Sequence, residues 1–245
     1  DRKIGCAFKM MRGLLSSSSR SVVRRFATLV QGANTDVGKT ACSIGLVAAG
    51  LRACGAAAYL KPVQTGVESA DEGDAASVRR HVKRYGGELT ADTLYSWRAA
   101  ASPHVASLQG PPPPTDETLA LGVGEWLDRH QKSNAVIVET AGGVLSPTPS
   151  SGFQVDAFFE VSKAFKLRTV LVGDAKLGGI SVTATAIECL QSRGYQVDAL
   201  VFVGGDAALG NADFFRARLG AAATVVTLTE IPPLPEPLDG WLDAN

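Results

Sequence analysis

The chain has no apolar run that approaches the ~20 residues of a membrane-spanning helix, and no membrane partner is expected. Cysteine is scarce. Cys6, Cys42, Cys54 and Cys189 are scattered without a Cys-x-x-Cys pair, which argues against a zinc site or a disulfide framework and suits a reducing compartment. Acids are missing from Arg2 to Thr35. Net charge is also absent, with 24 basic against 24 acidic residues, yet the balance is uneven. Residues 1–30 hold seven basic residues against Asp1, which leaves 17 basic and 23 acidic residues for 31–245. A mildly acidic body makes nucleic acid an unexpected partner.

The acid-free stretch is rich in Arg and Ser, the composition of an organelle transit peptide. Arg24-Arg25-Phe26 resembles a processing site, and a mitochondrial location follows as the expectation. A disordered basic arm has the same composition. Residues 1–25 are therefore set apart, and 26–245 is read as one domain, long enough for a single large core.

Apolar runs at 26–30, 56–60, 135–139, 169–173, 197–203 and 224–227 read as strands. Residues 41–49, 73–84, 116–131 and 181–193 read as helices, and 85–114, ending in four prolines, as irregular. Strands without polar alternation, joined by helices, imply an α/β fold with a mostly parallel sheet flanked by helices. Ligands gather at the carboxyl ends of such strands. Four chemically loaded segments follow strand ends: 32–40, 61–66, 139–143 and 174–179.

The first of these is Gly32-Ala33-Asn34-Thr35-Asp36-Val37-Gly38-Lys39-Thr40. Between a strand and a helix it makes a phosphate-binding loop of the P-loop NTPase kind. Backbone N–H groups of residues 34–38 and of the helix start converge on an anion. Lys39 adds a point charge for the outer phosphates, and the Thr40 hydroxyl suits a Mg²⁺ that bridges them. ATP and Mg²⁺ are the expected cofactors. The spacing Gly-x-x-x-x-Gly-Lys-Thr asks for glycine at position 33, where Ala33 stands; the glycine is one residue earlier, at Gly32. Glu139 and Asp74 are acids near strand ends that could join Thr40 as hard oxygen ligands, and Glu139 also borders the ATP site. Lys61 follows a β-run and precedes Pro62, a context that sets it apart from a surface lysine.

Five segments in this order resemble dethiobiotin synthetase: 32–40, Lys-Pro-Val-Gln-Thr-Gly at 61–66, Ser-Pro-His at 102–104, Val-Glu-Thr-Ala-Gly-Gly at 138–143 and Leu-Val-Gly-Asp-Ala-Lys-Leu-Gly-Gly-Ile at 171–180. The resemblance covers about 26–245, and the form of 139–147 looks most like eukaryotic versions, some fused to a diaminopelargonate aminotransferase. It implies ATP-dependent closure of a cyclic urea from 7,8-diaminopelargonate and carbon dioxide or bicarbonate, by a homodimer. It assigns Lys39, Lys61 and Thr65 to catalysis, with Lys61 and Thr65 also touching the carbamate. Gly142, Gly143, Gly178 and Gly179 would serve the substrate, the last two holding its distal carboxylate. It selects Asp74, in Gly73-Asp74-Ala75, over Asp71 and Glu72. The family often reads adenine with an Asn after the 197–203 strand; here Gly204-Gly205-Asp206 follows, with no Asn before Asn211. A nucleotide switch of the ParA/MinD type shares the fold and Gly-Lys-Thr. Such a switch usually needs a second lysine early in the loop, where Ala33 and Asn34 stand.

Overall fold

The computed structural model describes residues 26–69, 72–110, 112–232 and 238–245. The segment 1–25, expected to be a transit peptide or basic arm, lies outside the described residues, as does Asp71. Seven strands form one parallel sheet: β1 (Phe26–Gly32), β2 (Ala56–Thr65), β3 (Glu88–Trp97), β4 (Ala135–Glu139), β5 (Arg168–Gly173), β6 (Val197–Val203) and β7 (Thr224–Leu228), in the order β3-β2-β4-β1-β5-β6-β7. Strands β1 and β4 are buried almost throughout, which is why they read as unbroken apolar runs.

Helices cover both faces. On one face, α1 (Lys39–Cys54), α2 (Asp74–Val82) and the last helix, α9 (Asp239–Ala244), pack with Val30, Tyr59 and Ile137 in one core cluster. The other face carries α3 (Pro103–Ala106), α4 (Asp116–Arg129), α5 (Gln154–Ala157), α6 (Phe159–Ala164), α7 (Gly179–Ser192) and α8 (Asn211–Leu219) around Leu29, Trp126, Phe158 and Phe202. Helix α4 starts where its sequence says it should. Thr115 caps it by accepting from the Thr118 N–H at 3.2 Å, with Asp116 and Glu117 in the positive first turn.

One expectation is overturned. The stretch 85–114 is not irregular: Glu88–Trp97 is the edge strand β3, paired along β2 from Ala56↔Glu88 to Thr65↔Trp97. Its Glu88, Asp92 and Ser96 interrupt any apolar run, because an edge strand is only half covered. The ladder with β2 supplies the order, and Trp126 Nε1 donating to Asp92 Oδ2 at 2.7 Å ties β3 to α4. Lys61 likewise lies within β2 rather than after it, with Pro62 inside the strand.

Sheet order places β1 between β4 and β5, and brings β2 and β4 side by side. The loops after β1, β2 and β4 therefore share one stretch of the carboxyl rim.

Candidate active site

Helix α1 begins with Gly38 as its N-cap, at φ 94° and without a side-chain cap, so the first-turn N–H groups are left to face an anion. Left-handed backbone favours glycine, and a Cβ on Gly38 would also come within 2.8 Å of the Val203 side chain. Gly32 explains the shifted motif. A Cβ there would stand 2.8 Å from both the Lys39 ammonium and the Asn34 carbonyl. Glycine is needed at 32 because Lys39 curls back over that position, its Nζ donating to Asn34 O at 3.0 Å. Asn34 Oδ1 accepts from the Thr35 N–H at 2.8 Å and holds the loop turned on itself.

The register Tyr59↔Ile137 and Leu60↔Val138 carries Lys61 to the side of Glu139. Lys61 Nζ donates to Glu139 Oε1 at 2.8 Å, and it pairs with Asp74 Oδ2 at 2.7 Å. It also reaches the Thr140 carbonyl at 3.2 Å. Thr40 Oγ1 donates to the same Glu139 Oε1 at 3.0 Å, and the Tyr59 hydroxyl donates to Oε2 at 3.0 Å. Glu139 is fully buried and Lys61 nearly so. Asp74 is set in place by Gln64, whose Oε1 accepts from the Asp74 N–H at 3.1 Å. Of its acidic neighbours, Glu72 turns away to accept from the Glu68 N–H at 3.1 Å.

Burial pushes the Lys39 ammonium down to about 8; nearby Lys61 adds to this, while Glu139 and Asp74 oppose it. Burial also works against the charge of Lys61, but Glu139 and Asp74 outweigh it and hold the group above the ordinary lysine value. Burial, followed by the Glu139 charge, pushes the Tyr59 phenol well up, so it stays a protonated donor. Two carboxylates, Glu139 and Asp74, thus converge on a single ammonium, and the Thr40 hydroxyl donates to one of them. Carboxylate and hydroxyl oxygens are the hard ligands that a Mg²⁺ ion takes, and Glu139, Asp74 and Thr40 are the residues here that could hold one.

The cleft above this cluster has a volume of about 540 Å³, and Thr35, Asp36, Gly38, Thr65 and Gly142 also line it. Volumes of this order hold a small-molecule ligand. A second hollow of about 310 Å³ opens beside Gly38, between Val37, Gly204, Gly205, Glu230 and Ile231. Gly143 packs beneath the loop instead, a Cβ there being 3.2 Å from the Ala33 carbonyl. Gly178 and Gly179 stand at the start of α7, outside both cavities. Asn211 is buried and braces that start: its Nδ2 donates to the Asp174 and Lys176 carbonyls at 3.0 Å each. Two participants escaped sequence reasoning. Gln64 lies inside the 61–66 segment without an assigned role there, whereas period-two alternation in β2 puts Tyr59 on the face of Lys61.

A family model described as an AAA domain (AAA_26) matches residues 27–237. Over 178 residues the chain is 33% identical to the ATP-dependent dethiobiotin synthetase BioD of Phenylobacterium zucineum, covering 70% of this chain and 73% of that protein. The chain belongs to the dethiobiotin synthetase family. Longer members are similar too. The mitochondrial bifunctional dethiobiotin synthetase/7,8-diamino-pelargonic acid aminotransferase of Oryza sativa subsp. japonica is 35% identical over 270 residues, covering 89% of this chain and 32% of that protein. The bifunctional dethiobiotin synthetase/adenosylmethionine-8-amino-7-oxononanoate aminotransferase of Emericella nidulans is 37% identical over 183 residues, covering 72% of this chain and 22% of that protein. The chain thus spans a third or less of these bifunctional dethiobiotin synthetases.

Proposed function

We propose that this dethiobiotin synthetase-family chain closes a cyclic urea on 7,8-diaminopelargonate at the cost of ATP. One amine takes up carbon dioxide as a carbamate and loses a proton. A carbamate oxygen attacks the γ-phosphorus, and the bond to ADP breaks. The second amine attacks the carbon of the resulting carbamic-phosphoric anhydride; a new C–N bond closes the ring of dethiobiotin as the C–O bond to phosphate breaks and the amine gives up a proton. Such chemistry rests on positioning and charge neutralisation.

The observation that carries this reading is the meeting of Lys39 and Lys61 with Thr40, Asp74 and Glu139 in one cleft. Residues Asn34 to Gly38 and the α1 start receive the phosphates, with Lys39 on the outer ones. Lys61 faces the carbamate and the γ-phosphate, and Thr65 donates to the carbamate beside Gly142, with Gly143 supporting the loop from below. The hollow beside Gly38 seats the base. Thr40, Asp74 and Glu139 would hold Mg²⁺, which when bound neutralises phosphate charge. The far carboxylate of the long, flexible diamine goes to the Gly178–Gly179 helix start of a second copy in a homodimer, since that start lies outside the cleft that holds Lys61. The Arg- and Ser-rich 1–25 and the word "mitochondrial" in the name of the rice relative support a mitochondrial location. The bifunctional relatives support association with a diaminopelargonate aminotransferase.

The test supplies purified protein with 7,8-diaminopelargonate, bicarbonate and MgATP and looks for dethiobiotin. ATP turnover should depend on the diamine. Turnover indifferent to the diamine but stimulated by a protein partner would sink this reading in favour of a nucleotide switch.

A further inference from the structure

Glu139 has two carboxylate oxygens, and they are treated differently. Oε1 receives both donors that border the cleft, Thr40 Oγ1 at 3.0 Å and Lys61 Nζ at 2.8 Å. Oε2 receives the Tyr59 hydroxyl at 3.0 Å. Tyr59 is fully buried, belongs to the core cluster beneath α1, and does not line the cleft. Its hydrogen bond therefore reaches the carboxylate from within the protein.

Magnesium demands near-ideal six-fold geometry and takes carboxylates through one oxygen, whereas the larger Ca²⁺ accepts both oxygens of one carboxylate. We propose that Tyr59 sets the cation preference of this site: by holding Glu139 Oε2, it makes Glu139 a one-oxygen ligand that suits Mg²⁺ and handicaps Ca²⁺. The inference rests on the reading of Thr40, Asp74 and Glu139 as the Mg²⁺ set. Tyr59 is a positioning residue here, since it acts through Glu139. Its packing resides in the ring and its effect on the cation in the hydroxyl, so Tyr59→Phe separates the two. Loss of the hydroxyl leaves Oε2 buried without a donor, a costly state that a cation spanning both oxygens relieves.

The experiment titrates Mg²⁺ and Ca²⁺ separately into ADP-saturated protein by calorimetry, for wild type and Tyr59→Phe, with ADP alone as reference. Circular dichroism checks that the variant is folded. Wild type should take Mg²⁺ at least about tenfold more tightly than Ca²⁺, and Tyr59→Phe should narrow that ratio by roughly tenfold, the scale on which groups behind metal ligands act. A folded variant whose ratio stays within about twofold of wild type overturns the role of Tyr59 and leaves the Mg²⁺ set standing. A wild type that takes Ca²⁺ as tightly as Mg²⁺ overturns it without any variant. If wild type adds nothing to the cation affinity of ADP alone, the Mg²⁺ reading falls and the role of Tyr59 with it.

Discussion

Helices α1 and α7 start alike and are surrounded differently. Each follows a strand in the middle of the sheet, β1 and β5, which are direct neighbours. Each has a glycine N-cap in left-handed backbone, Gly38 at φ 94° and Gly178 at φ 85°, and neither has a side-chain cap. Around α1 stand Lys39, Lys61, Thr40, Asp74 and Glu139. Around α7 the loop is held mainly by its own chain. The Lys176 N–H donates to Asp174 Oδ1 and the Asp174 N–H to Thr183 Oγ1, both at 3.0 Å, while Leu177 is 88% exposed. The shared backbone shape gives each start the partial positive charge of a helix N-terminus. At α1 full charges gather in one cleft, Lys39 from the helix itself, Lys61 from β2, Asp74 from α2 and Glu139 from β4. A triphosphate needs that addition, whereas a single carboxylate on a long apolar chain does not.

The comparison breaks most visibly at the lysines. Lys39→Ala should lower turnover by roughly 10²-fold or more, because its charge is worth most in the transition state, and it should also weaken ATP binding. Lys176, the lysine of the other loop, lies at the edge of the hollow proposed for the base; Lys176→Ala should touch ATP binding at most and leave kcat within a few-fold of wild type. Equal losses at both in steady-state kinetics would show that the two starts do not differ in kind.

Next comes the pairing that distinguishes the α1 side. Lys61→Ala leaves Glu139 and Asp74 facing each other without their shared ammonium. Breaking a buried ion pair costs about 3–5 kcal/mol, to be read by urea unfolding, alongside a loss of roughly 10²-fold in turnover. Millimolar Mg²⁺ should recover part of the lost stability, because a cation among the carboxylates replaces the ammonium. Recovery by NaCl of equal ionic strength would point to screening instead.

A smaller effect is expected at α7. Leu177→Asp puts a like charge where the far carboxylate is proposed to dock and should raise the KM for the diamine several-fold, leaving the Kd for ATP unchanged. Gly179 is a poorer probe: a Cβ there would fall 2.0 Å from the Asp174 carbonyl, so any substitution disturbs the loop itself. An unmoved KM, or an active monomer by sedimentation, would remove α7 from the substrate path.

The same contrast explains what was legible in sequence. Central strands announced themselves because burial on both faces leaves apolar runs, and Gly38-Lys39-Thr40 announced α1. Strand β3 was hidden because eight of its ten residues are exposed or only partly buried; the backbone pairing that orders it leaves no mark in side-chain pattern. The shifted glycine was visible but unexplained until Lys39 was seen folded over Gly32. Tyr59 carries no motif, and Gln64 sits in one that gives it no role, since each acts through a neighbour, Asp74 or Glu139, that only the fold brings near. Asn211 could be counted from sequence, but its hydrogen bonds to Asp174 and Lys176 span residues far apart in the chain.

The smallest difference between the two starts is one of pH. Helix α2 packs on α1 and presents His81 to the cleft, nearly buried, whereas the loop 174–179 holds no histidine. Burial, helped by Arg80 and opposed by Asp239, holds the His81 imidazole below its ordinary value. The unfolded chain takes up a proton near pH ~6.5, where folded His81 still refuses one. Through that window the unfolded state binds more protons, so stability is intact above it and declines as pH falls toward the folded value, then levels off. His81→Gln cannot titrate and should flatten this part of the stability curve, with the two proteins keeping a constant difference near pH 8. Urea unfolding in half-unit steps from pH 8 to pH 5 would measure it. An acid slope that survives the substitution unchanged would mean that the decline arises from another group, and that the cover over α1 is no more sensitive to protons than the open start of α7.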